Sequence, residues 1–273
     1  MQAACDRFVN DPLGFTMFMY DWGEGALADW SGPDWWHLEV FKTIKDYLES
    51  PDPMPLRIAV ASGHGAAKTA LMAWLVNWFM SCRPNPQVVV TANTETQLNT
   101  KTWRELAKWH KLAHNREWFE WTATSFYLKA HPATWKANAI PWSEHNTEAF
   151  AGTHEGSVFV GFDESSKIID EIWTVTDGVL TTKKNIWVVL GNGTRNSGRF
   201  YECFHKYKKF WRCWNIDSRK CKASTLLGTD YLESLIEQYG GEEADQSLVR
   251  VKGLFPKSAT RQLISTAAVE KAM

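Results

Sequence analysis

Residues 57–80 constrain this chain more than any other stretch. Arg57-Ile-Ala-Val-Ala61 is a short apolar run of the kind that forms a buried strand. Ser62, Gly63, His64, Gly65, Ala66 and Ala67 follow as a loop of mostly small residues, then Lys68-Thr69, then an apolar stretch from Ala70 to Met80. Strand, loop and helix in that order predict a phosphate-binding loop. The loop's backbone N–H groups and the helix N-terminus make an anion site. Lys68 would reach the β- and γ-phosphates, and the Thr69 hydroxyl would hold Mg²⁺. The strict pattern G-x-x-x-x-G-K-[ST] fails, because Ser62 and Ala67 stand at its glycine positions. A glycine-rich β–α turn with a chance Lys-Thr accounts for the same residues, so the loop alone does not decide.

A second feature bears on the first. Ser157-Val-Phe-Val-Gly-Phe162 reads as another buried strand, and it ends in Asp163-Glu164. Its distance from the loop leaves room for intervening α/β units. In a loop-type ATPase the strand-end aspartate holds Mg²⁺, directly or through water. A neighbouring glutamate can act as general base toward the attacking water. A polar cap at a strand end would look the same in isolation; the two features in this order favour ATP and Mg²⁺. A third strand, Asn185 to Leu190, runs into Gly191-Asn-Gly-Thr194. Asn192 and Thr194 are placed to contact the γ-phosphate and report its loss, although a plain Gly/Asn turn has the same composition.

Short apolar strands alternating with helices predict an α/β fold with a mainly parallel sheet covered by helices. Strands are expected at 88–92, 119–129 and 210–216, helices at 38–48 and 96–112, and a loop over 131–156. Pro51, Pro53 and Pro55 separate an N-terminal helical segment (1–50) from an ATPase core (51–225). After Leu226 the composition turns polar and acidic, which marks a lid and linker segment over 226–273.

Of the chain's 273 residues, 44% are hydrophobic and 22% charged, the balance of an ordinary globular protein. No run of about 18 apolar residues suggests a membrane span, and the N-terminus lacks a signal-peptide pattern. The five cysteines contain no C-x-x-C pair, so neither a disulfide framework nor a zinc site is expected. Sixteen tryptophans are expected mostly in the core and at its edges. The net charge of −1 argues against a protein that coats nucleic acid. Residues 183–222 are nevertheless rich in Lys and Arg, opposed only by Glu202 and Asp217. That stretch reads equally as a face for DNA or an acidic partner and as a solvated surface.

These residues resemble the large terminase subunit of tailed bacteriophages over nearly the whole chain. The resemblance rests on 61–70, on Thr91-Ala-Asn-Thr-Glu-Thr-Gln97, on Ala149-Phe-Ala-Gly-Thr-His154, on 158–165 and on 191–201. Val249-Arg-Val-Lys-Gly-Leu-Phe-Pro256, with Leu263-Ile264, is similar to the linker that ends the ATPase part of that family. The resemblance implies a P-loop NTPase of the additional-strand, catalytic-glutamate type with a small helical lid. It implies a motor that moves double-stranded DNA into a procapsid in the host cytoplasm. Portal protein and small terminase subunit would be its partners, and a ring homo-oligomer its working form. Carried over, Ser62 to Thr69 is the nucleotide loop, Asp163 the metal residue, Glu164 the catalytic carboxylate and Asn192 to Thr194 the coupling motif. A helicase-like or other nucleic-acid-stimulated ATPase, or a nucleotide-binding scaffold with weak turnover, are the alternatives.

The chain departs from the family pattern at several positions. Ala67 replaces a glycine, His64 stands where many members carry an arginine, and His37 where an adenine-reading glutamine often stands. The assisting arginine would then be Arg104, Arg116 or Arg195, or one from a neighbouring subunit. Beyond Phe255-Pro256 the only acidic residue is Glu270. The carboxylates of the family's nuclease domain have no counterpart there, and this chain is expected not to cut DNA.

Overall fold

The computed structural model describes residues 5–51, 54–92, 94–141, 156–180, 184–226 and 228–258. The 149–154 motif, Leu263-Ile264 and Lys183 lie outside the described residues. The elements in chain order are α1 (Pro12–Met19), α2 (Trp35–Glu49), β1 (Leu56–Ser62), α3 (Lys68–Cys82) and β2 (Gln87–Thr91). A widened π turn over Leu98–Trp103 leads into α4 (Arg104–Leu112). Then come β3 (Phe119–Trp121), β4 (Ser125–Leu128), β5 (Lys136–Ala139), β6 (Val158–Phe162), α5 (Asp170–Val179) and β7 (Ile186–Gly191). The chain continues through α6 (Arg199–Phe204), β8 (Arg212–Ile216), α7 (Thr229–Gln238) and α8 (Asp245–Arg250). The fold is α/β, with eight strands in the order β3-β4-β5-β2-β6-β7-β1-β8.

Two compact units are formed from interleaved segments: 1–57, 69–163 and 171–188 in the first, 58–68, 164–170 and 189–273 in the second. In the first, β2 pairs in parallel with both β5 and β6, Val89 opposite Asn138 and Val160. Strands β3, β4 and β5 form an antiparallel meander. Helix α3 is mostly apolar and buried on all sides from Ala70 to Cys82, so it is a core helix rather than an amphipathic one. Its Trp74 ring lies edge-on to Trp22, His37 and Trp109 at centroid distances of 5.7, 5.0 and 4.9 Å. Trp36, Trp78, Trp173 and Trp187 are fully buried, while Trp35 is exposed, so among the described residues the tryptophans lie in the core and at its edges.

In the second unit β1 and β8 run parallel, Val60 opposite Trp214. Leu232 and Ile236, on one face of α7, pack with Val251. The acidic residues of 233–245 are not simply solvated. Arg219 reaches Asp217 at 2.6 Å, Glu242 at 2.6 Å and Glu233 at 3.6 Å, and Lys252 joins Glu242 and Glu243. Arg219 beside Glu242 holds that carboxyl below its usual range.

Two expectations for the secondary structure need correction. Residues 119–129 form two strands, because the Thr122 hydroxyl accepts from the Ser125 N–H at 2.9 Å and closes a tight turn between them. The expected loop over 131–156 contains β5, whose short Lys-Ala-Asn-Ala stretch carries no β-branched or aromatic residue to announce a strand.

Candidate active site

The loop after β1 is held from several sides within the second unit. The Gly63 N–H donates to Ile216 O at 3.1 Å, and the His64 N–H to Arg250 O at 2.7 Å. Ser218 Oγ donates to His64 O at 2.7 Å. A Cβ at Gly63 would lie 2.3 Å from Ser218 Oγ and 2.4 Å from Val251 O, so only glycine fits this crossing. The segment after α8 therefore runs across the phosphate-type loop. Asn215 Nδ2 donates to Gly253 O at 2.7 Å, and Gly253 (φ +66) lies so close to Ser62 that a Cβ would sit 2.7 Å from its Cα.

Lys68 opens α3. Its Nζ donates to Ser62 Oγ at 2.7 Å and to Gly63 O at 3.4 Å. Ser62 Oγ in turn donates to Gly63 O at 2.7 Å. Asn192, at the end of β7, donates through Nδ2 to Ser62 O at 2.6 Å. The strand-tip residue is thus bonded to the loop's first residue. Thr194 is exposed, and its N–H donates to Asn192 O at 2.7 Å. Ser165 Oγ donates to Leu190 O at 2.9 Å, and Ser166 Oγ to Asn192 O. These hydroxyls tie the turn after Glu164 to the end of β7. Glu164 is half-buried and sits in the left-handed region at φ 53°, ψ 41°. A side chain with a Cβ pays about 1–2 kcal/mol for that conformation, which is tolerated where the surroundings over-determine the backbone.

In the first unit, Thr69 Oγ1 donates to Asp163 Oδ2 at 3.2 Å, across 94 residues of sequence. Thr102 Oγ1 donates to the same oxygen at 2.8 Å. Asp163 is 3% exposed, and its N–H donates to Thr91 O at 2.8 Å, at the end of β2. A carboxylate and a hydroxyl are hard oxygen donors, the pair that suits Mg²⁺ completed by phosphate and water oxygens. Among the described residues no group of three or more His, Cys, Asp or Glu is placed to hold a metal ion.

Sequence reasoning missed Thr102, which carries no local signal, and the crossing of 250–253 over the loop. His37 serves the helix start: its Nδ1 accepts from the Asp34 N–H at 2.9 Å, closing a capping box at the beginning of α2. Arg104, Arg116 and Arg195 are exposed.

Ala67 is left-handed, at φ 59°. Replacing it with glycine removes a cost of about 1–2 kcal/mol, offset by about 0.4–1 kcal/mol of extra unfolded-state freedom. Ala67→Gly should raise Tm by up to about 3 °C. A thermal melt showing a lower Tm would mean the alanine is not strained.

No protein-family profile matches the chain. It is 26% identical over 279 residues to the "Probable terminase, large subunit" of Enterobacteria phage P7, covering 97% of this chain and 55% of that protein. This chain is similar to a phage large terminase subunit. It spans about half the length of that relative. The Thermus phage P74-26 large terminase ATPase domain superposes with a TM-score of 0.57 at 13% identity, covering 80% of this chain and 92% of that domain. The large terminase of the thermophilic bacteriophage D6E, in complex with ATP-gamma-S, gives 0.57 at 14% identity, covering 82% and 53%. The fold is shared with these terminase structures, the mainly parallel α/β architecture expected from the alternation of short apolar strands and helices. Among the described residues no helix is long and apolar enough to cross a membrane.

Proposed function

We propose that this chain is the ATP-hydrolysing motor portion of a viral terminase large subunit that drives double-stranded DNA into a procapsid. The observation that carries the reading is the Thr69–Asp163 hydrogen bond. It links the hydroxyl after the loop lysine to the carboxylate at the end of β6, the pair a P-loop ATPase needs for its metal. The D6E terminase complex with ATP-gamma-S supports ATP as the nucleotide.

Residues Ser62 to Thr69 cradle the phosphates, with Lys68 on the β- and γ-oxygens. Thr69 and Asp163 hold Mg²⁺, which when bound neutralises charge on the phosphate oxygens. Glu164 takes the proton of the attacking water. Asn192 and Thr194 pass the state of the loop to the rest of the motor. The direct bond from Asn192 to Ser62 O supports that role. Arg104, Arg116 and Arg195 are candidates for the arginine that assists from this chain, with a neighbouring copy as the other source. Portal protein, small terminase subunit and a ring of copies in the host cytoplasm complete the assembly.

The DNA-facing surface is proposed at 199–212. Lys206, Lys208, Lys209 and Arg212 are exposed. Lys206 Nζ lies 4.9 Å from the Tyr207 ring centroid and Lys209 Nζ 4.7 Å from that of Phe210. Arg219 is excluded from this surface by its carboxylate partners.

The purified chain should hydrolyse ATP with Mg²⁺, faster with duplex DNA and without separating strands. Reversing Lys206, Lys208 and Lys209 to Glu should lower the DNA stimulation and flatten its log–log salt slope by up to about 2.7. Strand separation would favour a helicase, and absent turnover a scaffold. An unchanged stimulation curve in the triple variant would remove the DNA surface from 199–212.

A further inference from the structure

We propose that Thr102 is a positioning residue for the Asp163 carboxylate, and through it for the metal of the nucleotide complex. The proposal rests on the ATPase reading of Thr69 and Asp163. Thr102 is 1% exposed, and its Oγ1 donates to Asp163 Oδ2 at 2.8 Å. Thr69 Oγ1 donates to that same oxygen at 3.2 Å. A hydroxyl that donates its proton to a carboxylate keeps lone pairs of its own. Thr69 can therefore serve a cation while still bonded to Asp163. Thr102 touches the carboxylate and fixes its rotamer.

The backbone around Thr102 is built for this. It lies on the π turn Leu98–Trp103, where Leu98, Thr102 and Trp103 are all buried. A π turn adds a residue to the helical turn, and such turns concentrate at functional sites. The Trp103 indole N–H donates to Thr122 O at 2.9 Å, which anchors the turn from its other neighbour. The Asp163 N–H is held by Thr91 O at the end of β2, so the main chain and the carboxylate of Asp163 are fixed by separate bonds. Partners that orient a metal ligand typically cost 10–100-fold in metal affinity when removed.

The test titrates Mg²⁺ into the full chain with a fluorescent ATP analogue and reads nucleotide binding rather than turnover. In Thr102→Val the Mg²⁺ midpoint should rise about tenfold or more, while binding of the analogue in EDTA and the thermal melt stay close to the parent. Thr102→Ser should restore the parent midpoint, because it returns the hydroxyl. If Thr102→Val does not fold, Thr102→Ala carries the same expectation. A parent-like midpoint in a folded Val or Ala variant overturns the proposal, as does a loss of equal size in EDTA. Failure of the underlying ATPase reading looks different: the parent itself would then bind no analogue, or bind it without Mg²⁺ dependence.

Discussion

Glu164→Gln should bind ATP as the parent does and hydrolyse it slower by about 10²-fold or more, the usual worth of a positioned general base. Glutamine keeps the shape of the side chain but loses its charge and its ability to take a proton. The backbone that presents it is held independently of the carboxylate, by the Ser165 hydroxyl on Leu190 O at 2.9 Å and by the Ser166 hydroxyl on Asn192 O. The left-handed turn at φ 53° is therefore expected to survive the change. Asp163→Ala has a different signature, because it removes the carboxylate shared by Thr69 and Thr102. That variant should lose its Mg²⁺ dependence of nucleotide binding. Single-turnover hydrolysis and analogue binding on both variants separate the roles. Equal and mild effects from the two changes would mean that neither residue does what is assigned to it.

The parts of this site legible in the sequence are those written in contiguous residues. An apolar run bounded by small residues and Lys-Thr marks β1 and the loop, and a second run closed by Asp-Glu marks β6. Thr102 is illegible for the opposite reason. A threonine in a polar helical stretch looks solvated, and its partner lies 61 residues away. Likewise, nothing local says that residues 250–253 will cross the loop. The need for glycine at 63 becomes visible only when Ser218 and Val251 stand beside it. Charge counting along 183–222 could not separate Arg219, whose partners Glu233 and Glu242 come from later in the chain, from exposed Lys206 and Lys208. The capping box at Asp34 and His37 was within reach: Asp-x-x-His before an apolar stretch has the S/T-x-x-E spacing, with His in the acceptor's place.

Lys68→Ala should abolish measurable turnover, with a loss on the order of 10²–10³-fold at the least, because a preorganised donor aimed at developing phosphate charge is removed. The fold is expected to tolerate it. Ser62 Oγ, which accepts from Lys68 Nζ, has a second bond in its own donation to Gly63 O at 2.7 Å. Gly63 is held besides by its N–H on Ile216 O at 3.1 Å, and Ser62 O by Asn192 at 2.6 Å. Truncating the lysine therefore orphans no buried donor in the loop. A near-parent melting curve with lost hydrolysis would place the defect in chemistry rather than in folding. Lys68→Arg sharpens the point, since a planar guanidinium keeps the charge but not the compact geometry of an ammonium. It should recover little of the rate if the lysine acts on phosphate oxygens within a tight loop. Parent-like hydrolysis by Lys68→Ala would remove the nucleotide from this loop, and with it the metal role of Thr69.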